Sequence, residues 1–173
     1  LVTYSGFARL ISVSFSAFDT FAPPPELEVE GIRPAYNYIG ICNNDEKNGR
    51  QQVKTAQEIR EDLSTTLNLC ARSPYKRERL LEVLDLLQLE FDVWELDQQI
   101  TSNVGDHFEL TYSSKLKELS SGQLVVLYAI TKLVWNVSEK TLVLIDEPES
   151  HLHPPLLAAF MRALNHLMID QNG

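Results

Sequence analysis

No apolar run in this sequence is long. The longest stretches, Leu124–Ile130 and Leu142–Ile145, fall far short of the ~20 residues that a membrane span needs. The opening Leu1-Val-Thr-Tyr-Ser-Gly6 has no basic segment ahead of an apolar core, so no secretory leader is expected. Cysteine is nearly absent: Cys42 and Cys70 stand apart, with no CxxC and no Cys/His cluster. That excludes a disulfide framework or a structural zinc site and points to two reduced thiols in a cytoplasmic protein. Positive charge is in deficit, with 15 Lys and Arg against 24 Asp and Glu, a net charge of −9. Proteins that grip nucleic acid broadly are basic, because neutralised phosphates supply most of the affinity. A general nucleic-acid grip by this segment is therefore excluded, though a local basic patch, or a DNA site on other parts or partner chains, is not. Finally, none of the seven glycines precedes a lysine, so the loop G-x-x-x-x-G-K-[ST], which cradles phosphates, is missing.

What remains has the composition of one ordinary domain, 44% apolar and 23% charged. Arg9–Asp19 alternates, with Ile11, Val13, Phe15 and Ala17 on one face, which predicts a strand. Pro23-Pro-Pro25 halts regular structure. Tyr36–Cys42 reads as a second strand and Asn43–Gly49 as a polar loop. From Val53 the period changes: Ala56, Ile59, Leu63, Leu67 and Cys70 or Ala71 predict a helix over about 52–71. Ser73-Pro74 opens another, with Leu80, Leu81, Leu84 and Leu87 as its stripe, ending near Leu89. A shorter helix is expected over Asp92–Ile100, then loop with an extended piece at His107–Tyr112. Leu124, Leu127, Tyr128, Thr131, Val134 and Trp135 mark a helix from Gly122 to about Asn136. Thr141–Ile145 reads as a strand buried on both faces of a parallel sheet, and Pro154-Pro155 as the first turn of a helix to about Ile169. The fold class is α/β, divided as core strands in 1–50, a helical subdomain in 51–118, and a last helix–strand–helix segment in 119–173.

Two motifs carry chemistry. Thr141-Leu-Val-Leu-Ile-Asp-Glu ends an apolar strand in adjacent carboxylates. A buried strand cannot hold charges at its middle; at its carboxyl end they meet the rim where α/β sheets bind ligands. Asp146 there suits Mg²⁺, which prefers carboxylate oxygens, and Glu147, pointing the other way, suits a base that polarises water. The plainer alternative is a solvated acidic turn. Leu119-Ser-Ser-Gly-Gln123 leads straight into a helix, whose start carries unpaired N–H groups that attract anions. Ser120 and Ser121 add hydroxyls, and Gly122 permits close approach of a phosphate. The plainer alternative is a capped helix. His151 and His153 at i, i+2 are a weaker metal pattern, since no further Cys or His is close in sequence.

Taken together, Leu119-Ser-Ser-Gly-Gln123 resembles the signature turn of ABC-type P-loop ATPases, and Leu142-Val-Leu-Ile-Asp-Glu-Pro148 resembles their Walker B strand, in the family's order. The resemblance covers about Phe7 to Ile169. It implies a partial ABC-ATPase head: a sheet of buried parallel strands with an inserted helical signature subdomain. It implies ATP and Mg²⁺ as cofactors, Asp146 as the metal ligand, Glu147 as the catalytic base, and Ser120, Ser121, Gly122, Gln123, Asp146 and His151 as nucleotide-binding residues. Two heads would meet head to tail, so that Ser121 and Gly122 act on ATP bound to a second copy of the chain. Glu149, Ser150 and His151 would lie near that seam. The family places its Walker A lysine upstream of Ser14-Phe-Ser-Ala-Phe18 and its switch histidine after the last helix. The expectation is thus a chain cut at both ends, which alone binds ATP poorly and does not hydrolyse it. The glutamine that follows the family's second strand has no clear counterpart, Gln51 and Gln52 lacking a motif around them.

Asp146-Glu-Pro-Glu-Ser-His-Leu-His-Pro154 is similar to the OLD, RecF and SMC-like branch, where transporters usually carry Ala-Leu-Asp after the Glu. Val13–Asp19, Tyr38–Ile41 and Leu156–Phe160 resemble bacterial AAA-type ATPases of Septu-type and retron-associated anti-phage systems. The resemblance implies a DNA-directed machine in defence or repair, with DNA or a nuclease subunit as partner and no membrane. The alternatives are a transporter's nucleotide subunit or a non-catalytic assembly module. Arg72, Lys76, Arg77 and Arg79 form a basic cluster that reads either as a solvated face or as a contact for nucleic acid or an acidic partner.

Overall fold

The computed structural model of the chain describes residues 6–16, 35–45, 50–89 and 116–169. In chain order its elements are strands β1 (Arg9–Ser14), β2 (Ala35–Gly40), β3 (Cys42–Asp45) and β4 (Arg50–Val53), then helices α1 (Ala56–Arg72), α2 (Pro74–Leu87) and α3 (Ser121–Asn136). Strand β5 (Thr141–Asp146), a 3-10 turn (Pro148–Ser150) and helix α4 (Pro154–Ile169) follow. The fold is mixed α/β: a small parallel sheet flanked by helices.

The sheet has the order β2-β1-β5. Both pairings are parallel, and their registers align Ser14 with Gly40 on one side and with Asp146 on the other. The carboxyl ends of the three strands therefore form one edge. Ile11, Val13 and, just beyond the strand, Phe15 are buried as the alternation predicts; Ala17 lies outside the described residues. Ile39 shares this buried face.

Strand β5 departs from expectation. Leu144 is 50% exposed, and Leu142, Val143 and Ile145 are only half-buried. Among the described residues β5 pairs with β1 alone, at the sheet's edge. A strand there keeps an apolar run without having both faces covered. The polar stretch after β2 also departs: Cys42–Asp45 pairs antiparallel with Arg50–Val53. The ladder's bonds are backbone bonds, so the low strand propensity of Asn and Asp does not forbid it. Residues 46–49 between the two strands lie outside the described set.

Strand β4 moves the first helix start from about 52 to Ala56. Thr55 and Glu58 close a capping box there: the Glu58 N–H donates to Thr55 Oγ1 at 3.2 Å, and the Thr55 N–H donates to Glu58 Oε2 at 2.6 Å. Ile59, Leu63, Leu67 and Cys70 are buried as the helix period requires, whereas Ala56 is exposed. In α2 the buried set is Arg79, Leu80, Val83, Leu84 and Leu87; Leu81 is only half-buried. Helix α3 is buried on almost every side and packs against α1, α2, α4 and β2. It is the core helix rather than a one-striped surface helix, and Trp135, expected on the stripe, is 37% exposed. The expected helix at Asp92–Ile100 and extended piece at His107–Tyr112 lie outside the described residues. No helix among the described residues is long and apolar enough to cross a membrane.

Candidate nucleotide site

Asp146 is the last residue of β5, with its Cα opposite Ser14 at the carboxyl edge. Its carboxylate is exposed and makes no hydrogen bond among the described residues. Glu147 does not continue the strand. Its backbone turns left-handed, φ 37° and ψ 50°, a conformation that costs a residue with a Cβ roughly 1–2 kcal/mol. The expectation that Glu147 would point opposite to Asp146 by strand alternation is therefore replaced by a turn. Pro148 then starts the 3-10 turn, and the N–H groups of Ser150, His151 and Leu152 donate to Glu147 O, Pro148 O and Pro148 O at 3.1, 3.3 and 3.0 Å. Leu152, 5% exposed, anchors the far end of the turn in the core.

The serine-glycine segment forms the start of α3. Ser120 is the N-cap. Its Oγ accepts from the Gln123 N–H at 3.3 Å, and Gln123 Oε1 accepts from the Ser120 N–H at 2.9 Å. This reciprocal capping is worth about 1 kcal/mol to the helix. Ser120 and Gln123 are thus engaged with each other, whereas Ser121 is exposed and Gly122 half-buried. A Cβ added at Gly122 would stand 3.4 Å from Leu156 Cδ2, so the turn lies directly against α4.

Ser121, Gly122, Val125, His151, Leu152 and Phe15 line one open cavity of about 150 Å³. Phe15 follows the last residue of β1, which puts this part of the lining at the sheet edge that carries Asp146, although Asp146 and Glu147 are not among the lining residues. Its ring is fixed edge-on against Phe160 of α4, centroids 5.3 Å apart. The chain thus brings together Ser121, Gly122 and His151, which the sequence singled out separately. The alternation of β1 marks Phe15 only as a strand residue. Gln123 and His153 line a different depression, with Arg162 and the end of α2. Among the described residues no group of three or more His, Cys, Asp or Glu stands together as a metal cluster.

Charged side chains behind the site hold the helices. Asp62 of α1 accepts from Tyr128 at 2.8 Å and from Lys132 at 2.5 Å, both on α3, and Lys54 donates to the Tyr128 hydroxyl at 2.9 Å. Burial pushes the Tyr128 phenol upward, and the Asp62 carboxylate beside it adds to the shift. Burial pulls Lys54 down. The basic cluster, Arg72 at the end of α1 and Lys76, Arg77 and Arg79 on α2, is neither a solvated face nor an open docking patch at two of its four positions. Lys76 donates to Val134 O and Val137 O at 2.8 and 3.0 Å, and buried Arg79 donates to Leu167 O at 2.6 Å. Each cation sits on the carbonyl end of a different helix, where unpaired C=O groups and the helix dipole favour it. Burial lowers Lys76, with Arg79 adding to the shift.

Residues 41–173 match the family described as "AAA domain, putative AbiEii toxin, Type IV TA system". The chain is also similar to Protein ea59 of Escherichia phage lambda, at 38% identity over 185 aligned positions covering 96% of the chain. It spans about a third of that relative's length, 34%. No solved structure matches it.

Proposed function

Because the chain belongs to this AAA-domain family of P-loop NTPases, we propose that it carries part of an ATP-hydrolysing head of the ABC type, working as a head-to-tail pair of copies around ATP. One observation supports this most directly. An exposed Asp146 and Glu147 end a parallel strand at the edge where Ser121, Gly122 and His151 share one open cavity. A capped helix or an acidic turn alone would not require the two to meet at one edge.

In this reading Asp146 holds Mg²⁺. An exposed carboxylate without another partner fits an ion that takes one or two carboxylates and fills its remaining positions with water and phosphate oxygens. Bound there, Mg²⁺ supplies charge neutralisation for the β- and γ-phosphates. Glu147 accepts the proton of the attacking water. The Ser121 hydroxyl and the first-turn N–H groups of α3 face the γ-phosphate of ATP held by the second copy. Ser120 and Gln123 keep that turn in shape, and His151 adds a polar contact at the seam. The lysine loop that holds the β- and γ-phosphates is not in these 173 residues and comes from elsewhere in the protein. With a net charge of −9 on this segment, DNA contacts belong to other parts or to a partner such as a nuclease subunit, in an anti-phage or repair machine.

The test is ATP turnover by the natural full-length protein, with and without DNA, against Glu147→Gln. Turnover should fall by at least about 100-fold while ATP binding persists. Unchanged turnover in the variant sinks the base assignment. Wild-type protein that binds ATP without hydrolysing it supports the assembly-module reading. DNA-insensitive activity that travels with membranes supports the transporter reading.

A further inference from the structure

The 3-10 turn after β5 gives the candidate base a neighbour. The Ser150 N–H donates to Glu147 O at 3.1 Å, which brings the two side chains onto the same edge of the turn. The Ser150 hydroxyl then donates to Glu147 Oε2 at 3.4 Å. Among the described residues it is the carboxylate's single hydrogen-bond partner. The turn's own fixation keeps this arrangement in place. Pro148 has a locked φ, the Leu152 N–H bonds back to Pro148 O at 3.0 Å, and the Leu152 side chain is buried in the core. The left-handed Glu147 backbone aims the carboxylate along the turn rather than along the strand.

We propose that Ser150 is a positioning residue for Glu147, orienting its carboxylate toward the water it activates. The proposal rests on the ATP-hydrolysis reading above. In the resting protein one carboxylate oxygen takes the serine proton donor, and the other is left to accept from water. A carboxylate free to rotate would present that second oxygen only part of the time.

The experiment compares Ser150→Ala, Ser150→Thr and Glu147→Gln in the natural full-length protein, measuring kcat and KM for ATP separately. A long, exposed hydrogen bond to a charged group is worth a fraction of a buried one, so Ser150→Ala should lower kcat about five-fold with KM unchanged. Ser150→Thr, which keeps the hydroxyl, should restore most of that loss. On the Glu147→Gln background, Ser150→Ala should have no further effect. Equal loss in the alanine and threonine variants, or a change confined to KM, overturns the proposal as a structural effect of the turn. A fall on Glu147→Gln with none on Ser150→Ala overturns the proposal and leaves the base assignment standing. If Glu147→Gln itself leaves turnover intact, the reading on which the proposal rests fails first.

Discussion

Replacing Asp62 by alanine removes an acceptor on which Tyr128 and Lys132 converge and beside which Lys54 stands 3.6 Å away. Tyr128 is 3% exposed, and its hydroxyl proton would lose its carboxylate. A buried donor left without an acceptor costs about 1–3 kcal/mol. The ion pairs contribute less: the Asp62 side chain is 35% exposed, and solvent screening reduces each to well under ~1 kcal/mol. The expected loss is about 2 kcal/mol in urea denaturation, read as a lower midpoint at unchanged slope. Its pH dependence follows from the carboxyl's environment. Burial alone would raise the Asp62 pKa, but the hydrogen bonds from Lys132 and Tyr128, with the charges of Lys132 and Lys54, outweigh it and hold the carboxyl below the usual range. With the folded pKa below the unfolded one, the contribution is complete above about pH 4, the ordinary value. It is lost as pH falls through the lowered folded pKa. The Asp62→Ala deficit should therefore be constant from neutral to mildly acid pH and shrink below it. A double-mutant cycle with Tyr128→Phe should show coupling of about 1 kcal/mol. A deficit under about 0.5 kcal/mol, the ordinary scatter of surface substitutions, or one that grows toward acid, would refute the reasoning.

Two further outcomes follow from buried groups. Thr131 is fully buried in α3 and its hydroxyl oxygen has no partner among the described residues, so Thr131→Val should be neutral or stabilising by up to about 1 kcal/mol in the same denaturation assay; a loss of that size would reveal a hidden hydrogen bond. Cys70 has no exposed surface, and burial pushes its thiol up to about 11. Iodoacetamide should leave it unmodified in the folded protein at pH 8 and label it once urea unfolds the chain, as mass spectrometry would show; rapid native labelling would contradict the packing.

The parts of the fold legible in the sequence are those whose signal is local. The alternation of Ile11, Val13 and Phe15 and the stripe Ile59, Leu63, Leu67 and Cys70 each report burial through a period. Ser120-x-x-Gln123 and Thr55-x-x-Glu58 spell capping boxes outright, and the second would have placed the start of α1. Asn48-Gly49, a strong hairpin signal, closes the Asn43–Gly49 segment that reads as a polar loop and stands in sequence between β3 and β4. Other features required knowledge of distant partners. Lys76 meets carbonyls 58 and 61 residues away, and Arg79 one 88 residues away; no window of sequence contains those pairs. That β5 has one strand neighbour among the described residues is equally invisible, because an apolar run does not record how many neighbours its strand has. At the candidate site, the identities of Asp146, Glu147, Ser121 and Gly122 were open to reading. The hydroxyl of Ser150 on Glu147 was not, since it depends on a backbone turn in the left-handed region that no residue type announces.

The two cations of α2 have a mechanical consequence. One is pinned to the tail of α3 and the other to the tail of α4, the two helices whose heads carry the serine-glycine turn and the Pro154-Pro155 start. Helix α2 therefore acts as a yoke across both shafts. Any tilt of α3 that carried Ser121 and Gly122 outward would have to drag α2, and α4 with it, or break charge-assisted bonds at the opposite end of the helical layer.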